Sequence, residues 1–199
     1  MKRILLVIIC AFSFTFGASQ TKTTIGYSYT RLDSASYQAI EIGTSVVAIT
    51  KKGIVRPYTG AEISVPLFFD QNGTNQPNFE AKGTGFGVGL EVPLVAGLDI
   101  GGFYIQIMGG YNLNWLSDAI KKAPSGAQIG AIKNSQTKTI THGYIYGAGL
   151  GYNFDFNMTI GVRYLRGSMN NNVQDPGEGM FPKYKTNYEK FLILLGYRF

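Results

Sequence analysis

The chain has 199 residues, a net charge of +6, 15% charged residues, 14% aromatic residues, 26 glycines and one cysteine. So many aromatics with so little charge exclude disorder, one cysteine excludes a disulfide scaffold, and glycines without a period of three exclude a collagen-like repeat. A helical bundle draws on Ala, Leu, Glu and Lys, whereas this chain is rich in Gly, Tyr, Phe, Thr and Ile, which leaves an all-β protein.

The first nineteen residues read as a different object from the rest. A basic start, Met1-Lys2-Arg3, leads into the apolar run Ile4 to Phe16, and Gly17-Ala18-Ser19 supplies small residues ahead of Gln20. This is the layout of a bacterial secretory signal peptide over residues 1–19, leaving residues 20–199 as one domain. A run of about 13 apolar residues is too short for a membrane helix, which needs about 20. A lipid anchor on Cys10 is excluded by the bulky Ile9 before it. Cleavage removes Lys2, Arg3 and Cys10, lowering the net charge to +4 and leaving no thiol to misoxidise outside the cytoplasm. So mild a charge gives no dense basic patch, and nucleic acid is not an expected partner.

Eight segments of period-two alternation follow. The first is Thr24 to Thr30, with Ile25, Tyr27 and Tyr29 on one face. The second runs from Tyr37 to Thr50 and the third from Ile54 to Phe68, with Ile40, Ile42 and Val46, then Ala61, Ile63, Val65 and Leu67, sharing a side. In the fourth, Phe86, Val88, Leu90 and Val92 alternate with Gly83, Gly85, Gly87, Gly89 and Glu91. The fifth carries Phe103, Ile105, Ile107, Tyr111 and Leu113, and the sixth Tyr144, Tyr146, Ala148, Leu150 and Tyr152 against four glycines. The seventh has Met158, Ile160, Val162 and Tyr164, and the eighth Phe191, Ile193, Leu195, Tyr197 and Phe199.

One face is bulky and apolar, and the other is made of Gly, Ser, Thr, Asn and a few charges. A glycine-rich face suits the crowded inside of a narrow barrel, so the bulky face points outward, and only lipid accepts it there. Closed barrels are the β-architecture that leaves no backbone group unpaired in a bilayer. The expected fold is therefore an eight-stranded antiparallel transmembrane β-barrel. Connections after the second, fourth and sixth strands are short: Lys51-Lys52-Gly53, a segment near Ala96-Gly97, and Asn153–Asn157. Three of the four at the other end are long and polar, around Asp70–Lys82, Leu116–Lys138 and Gly167–Asn187. Short periplasmic turns and long external loops are the asymmetry of outer-membrane barrels.

With its C-terminal Leu195-Gly196-Tyr197-Arg198-Phe199, the mature chain resembles the small eight-stranded outer-membrane barrels of the OmpA/OmpX type. The resemblance implies that Leu195, Tyr197 and Phe199 form an assembly signal read by the barrel-assembly machinery, with periplasmic chaperones as escorts. It also implies a polar, ion-paired interior.

By parity Glu41, Arg56, Glu62, Glu91, Arg163 and Arg198 point into the lumen as a charge network, with pairing expected between Glu62 or Glu91 and Arg163 or Arg198, since unpaired buried charges are costly. His142, the single histidine, faces out near the start of the sixth strand without a serine beside it, so no catalytic set is expected. The period-two glycines lack the G-x-G-x-x-G spacing of a nucleotide loop, and one histidine cannot build a transition-metal site, so no cofactor is expected. Loop lysines Lys121, Lys122, Lys133 and Lys138 have two readings, as residues that solvate the loops or as contacts to lipopolysaccharide phosphates. The expected role is that of a monomeric, non-enzymatic outer-membrane barrel with a structural or surface-contact function. A lipid A-modifying enzyme and a small channel for ions or apolar solutes are the alternatives.

Overall fold

The computed structural model describes residues 18–32, 35–50, 53–72, 80–83, 86–122, 136–174 and 184–199. Residues 1–17 of the expected signal peptide lie outside the described residues, and the first strand begins at Ala18. Among the described residues nine strand segments run in chain order: β1 Ala18–Leu32, β2 Ala35–Ile49, β3 Val55–Asn72, β4 Glu80–Gly83, β5 Phe86–Ile100, β6 Phe103–Lys122, β7 Gln136–Asn153, β8 Met158–Gln174 and β9 Tyr184–Arg198. The short β4 and the long β5 both lie between β3 and β6 and make one stave, so the wall has eight. Every pairing is antiparallel, and β1 is bonded to both β2 and β9, which closes the sheet on itself.

The register fixes the barrel's dimensions. Starting at Phe103 on β6, hydrogen-bonded partners lead through Tyr152, Ile160, Leu195, Ile25, Ile42 and the level of Leu90, and return to β6 at Leu113, ten residues further along. Eight staves with a stagger of ten give a strand tilt of about 40° and a radius of about 8 Å, for a rise of about 3.3 Å per residue and a strand spacing of about 4.8 Å. That leaves room for side chains and little else.

The inner face of the wall alternates with an outer face that carries the bulk. Ile25, Tyr27, Tyr29, Ile42, Ile63, Leu94, Ile107, Tyr144, Tyr146, Ile193 and Leu195 are exposed on the outside. On β9 the outward residues from Phe199 to Phe191 cover roughly 27 Å of strand, about 20 Å of membrane normal at this tilt. Such a surface is stable only in hydrocarbon, and the barrel spans the membrane with its strands.

The strands extend into the expected loops, β3 to Asn72, β6 to Lys122, β8 to Gln174 and β9 from Tyr184, and β4 lies within the expected connection Asp70–Lys82. Two further details depart from the sequence reading. The hairpin expected near Ala96-Gly97 instead turns at Gly101-Gly102, and β5 runs straight through to Ile100. Both turn glycines have positive φ, 60° and 94°, as a two-residue type I′ hairpin demands, whereas Gly97 is needed for space. A Cβ at Gly97 would lie 2.6 Å from the Tyr58 ring. The second detail is a weak seam. The β3–β5 ladder skips Glu62–Ile63 and Val65–Pro66, where Pro66 and Pro93 have no N–H to give. Both prolines keep partners on their other side, Glu41 and Gly110.

Candidate functional site

The lumen is layered. At the end with short turns, Arg56 Nη2 meets Asp99 Oδ1 at 2.7 Å, and Asp99 also accepts from the Gly102 N–H at 3.3 Å and from Asn153 Nδ2 at 2.8 Å. Arg198 Nη2 donates to the Phe154 carbonyl at 2.5 Å. Lys22 sits above this layer with its Nζ 5.2 Å from the Tyr104 ring centre, and Tyr58 donates to Gln106 Oε1 at 3.0 Å. Lys22, Tyr58, Asp99, Tyr104, Gln106 and Arg198 line a cavity of about 40 Å³, the scale of one or two water molecules.

The middle of the lumen holds two ionic clusters. Arg163 grips Glu62 in a two-pronged fork, Nη1 to Oε1 and Nη2 to Oε2, the second at 2.8 Å. The two side chains are 4% and 3% exposed. Lys190 pairs with both Glu41 and Glu91, donating to Glu91 Oε2 at 2.7 Å. Glu91 Oε1 also accepts from Asn112 Nδ2 at 2.7 Å and from the Tyr188 hydroxyl at 2.8 Å. Asn114 extends the chain of bonds to Asn112 at 2.5 Å and Thr141 at 3.1 Å.

At the end with long loops the inner face turns apolar. Leu32, Tyr37, Phe68, Leu116 and Met169 are all buried there, with the Tyr37 and Phe68 rings edge to face at 5.8 Å. Charge in the middle is thereby separated from the loop end by hydrocarbon.

Of the six charges placed inward by parity, Glu41, Glu62, Glu91 and Arg163 lie buried in the middle, and Arg56 and Arg198 sit in the layer at the short-turn end. Glu62 meets Arg163, whereas Glu91 meets Lys190 and no arginine. Lys190, Asp99 and Lys22 are the members that sequence reasoning passed over. His142 faces outward and its Nδ1 lies 2.6 Å from the Tyr111 hydroxyl. Leu195, Tyr197 and Phe199 line the outer face of β9, and the Phe199 N–H bonds the Thr21 carbonyl on β1 at 2.9 Å. Lys133 lies outside the described residues, as do the side chains of Lys121, Lys122 and Lys138.

A closed eight-stave wall with a lipid-facing exterior and a filled, ion-paired interior defines a small outer-membrane β-barrel, and the outer membrane is where it resides. Solved structures share this fold. Ail, the attachment invasion locus protein of Yersinia pestis, solved in complex with the heparin analogue sucrose octasulfate, superposes with a TM-score of 0.53 at 13% identity, over 92% of this chain and 100% of that one. The outer membrane protein OprG from Pseudomonas aeruginosa gives 0.53 at 12% identity, over 92% of this chain and 97% of that one. No protein-family model and no curated protein sequence matches the chain.

Proposed function

We propose that the protein is a non-conducting, non-enzymatic scaffold of the outer membrane that presents its outer-end loops at the cell surface for contact with an external ligand. The observation that carries this reading is the sealed lumen: two paired ionic clusters in the middle and the Leu32, Tyr37, Phe68, Leu116 and Met169 plug beyond them. An ion crossing this interior would have to break the Arg163–Glu62 fork or strip its own water against the plug, and both are costly. His142 bonds the Tyr111 hydroxyl through Nδ1 on the outer wall, a pairing in keeping with an amphipathic residue at the outer rim. Ail, crystallised with a heparin analogue, makes a sulfated polysaccharide the first probe for the loops.

The test is planar-bilayer conductance of the refolded protein, run beside a lipid A modification assay and binding of a heparin-type polysaccharide to cells displaying the protein. No current steps, no modified lipid A and saturable polysaccharide binding are expected. Reproducible conductance steps would overturn the scaffold reading in favour of a channel.

A further inference from the structure

The short-turn end of the lumen carries more positive charge than its carboxylates balance. Along one row of cross-strand neighbours, Arg198 of β9, Lys22 of β1, Ser45 of β2 and Glu62 of β3 stand side by side. All four line the cavity of about 40 Å³, together with Asp99 and Gln106. Lys22 and Arg198 are thus like charges placed directly opposite each other, which destabilises an antiparallel pair. The carboxylates within the cavity wall are already engaged. Both oxygens of Glu62 lie in the Arg163 fork. Asp99 Oδ1 takes Arg56 and the Gly102 N–H, and its Oδ2 takes Asn153. Among the described residues, no carboxylate forms an ion pair with Lys22 or Arg198. Lys22 rests over the Tyr104 ring and Arg198 Nη2 donates to the Phe154 carbonyl, and neither contact brings a full negative charge.

The hydrogen bonds lean the same way. Ser45 Oγ, Gln106 Nε2 and Arg198 Nε are buried without a hydrogen-bond partner among the described residues. Gln106 Nε2 and Arg198 Nε can only donate, and the Ser45 hydroxyl can donate as well. Gln106 Oε1, by contrast, is taken by the Tyr58 hydroxyl at 3.0 Å. Spare donors and spare positive charge around one small cavity call for an acceptor with negative charge. Water fits the volume but leaves both cations unbalanced. So small a space suits a monatomic ion and is too small for an organic anion.

We propose that the short-turn end of the lumen is a binding site for a single halide-sized anion such as chloride. Lys22 and Arg198 hold it by charge, and Ser45 Oγ and Gln106 Nε2 hold it by hydrogen bonds. Glu62, fixed by Arg163, walls the site off from the middle of the lumen, so the ion is lodged and not passed on. The anion is what lets two cations stay neighbours on β1 and β9. The site is independent of the loops and of what they contact.

The experiment is urea unfolding of detergent-refolded protein across a chloride series, with gluconate keeping the ionic strength constant. Folded fraction is read from heat-modifiable gel mobility. Above half-saturation, the folded-to-unfolded ratio of the wild type should rise about tenfold for each tenfold increase in chloride. Bromide should act like chloride. Lys22→Met should remove the dependence, and Ser45→Ala should move half-saturation to severalfold higher chloride. Crystals of the wild type grown in bromide should give an anomalous peak between Lys22 Nζ and the Arg198 guanidinium, and this measurement decides the matter if Lys22→Met fails to fold. Equal stability in chloride and gluconate would overturn the proposal, as would bromide peaks confined to the outer surface. A chloride dependence that survives Lys22→Met would overturn it in favour of a general salt effect.

Discussion

Replacing Arg163 with methionine keeps most of the side-chain volume and removes the fork on Glu62. The carboxylate is left in a lumen where its own side chain is 3% exposed, having lost two charge-assisted hydrogen bonds. Removing one partner of a buried pair costs about 3–5 kcal/mol. The lower figure already reduces the folded-to-unfolded ratio roughly 150-fold. Glu62→Gln should cost a similar amount, because Arg163 then keeps its charge without a counterion. The double variant Glu62→Met with Arg163→Met should lose far less than the two single losses together, since an apolar pair of similar volume leaves no buried charge stranded. The outward Arg166–Glu189 pair is an internal control: at 56% and 34% exposure, Arg166→Gln should change stability by less than about 1 kcal/mol. The assay is urea unfolding in detergent micelles, with the folded fraction read from heat-modifiable mobility. Single losses below about 1 kcal/mol, or a double variant that loses the full sum, would refute the reasoning.

Lys190→Met should be the most destabilising single change in the lumen, exceeding Arg163→Met in the same unfolding assay, because it strands two carboxylates, Glu41 and Glu91, at once. Phe199→Ala should lower the amount of assembled protein in cells far more than the stability of refolded protein. Its ring is 74% exposed and touches Tyr197 at 5.1 Å between centroids, so loss of packing is expected to cost at most about 1.5–3 kcal/mol; equal losses in both assays would leave only the packing role. Amide hydrogen exchange in micelles should be fastest, among the membrane-level ladders, along β3 and β5 around Glu62–Pro66 and Leu90–Pro93, where the ladder is interrupted; uniform protection around the wall would contradict this.

Most of the wall was legible because the period of a strand is local. The glycine face of Gly87, Gly89 and Glu91 against Val88, Leu90 and Val92 states its own orientation. The same parity rule also carried the missed members: Lys190 lies two residues before Leu192 and four before Leu194, both inward, but was passed over by starting the last strand at Phe191. Asp99 was hidden by a turn placed at Ala96-Gly97, when the glycine pair able to adopt positive φ was Gly101-Gly102. The apolar plug ran against the expectation of small residues inside, although Tyr37, Phe68 and Leu116 share parity with Glu41, Glu62 and Asn112. Pairing across the lumen was not legible. Which carboxylate meets which cation follows from the stagger of ten around the closed wall, and stagger is a property of all the ladders together rather than of any segment.

The ionic clusters join residues far apart along the chain: Glu62 and Arg163 are 101 positions apart, and Glu91 and Lys190 are 99 apart. They also join staves that are not neighbours in the wall, β3 with β8 and β9 with both β2 and β5. No partial sheet can satisfy them. A growing wall of six or seven staves has all its neighbouring ladders and none of this compensation, while its loop-closure entropy is already spent. The carboxylates of such an open sheet face lipid or water instead of their cations. Closure at the β1–β9 edge therefore releases the network's stabilisation in one step, with correct register as its condition. A barrel closed with a different stagger brings Arg163 opposite other residues and forfeits it. The charges inside the barrel act as a checkpoint on its completion, and half-built walls are expected to be short-lived species rather than populated intermediates.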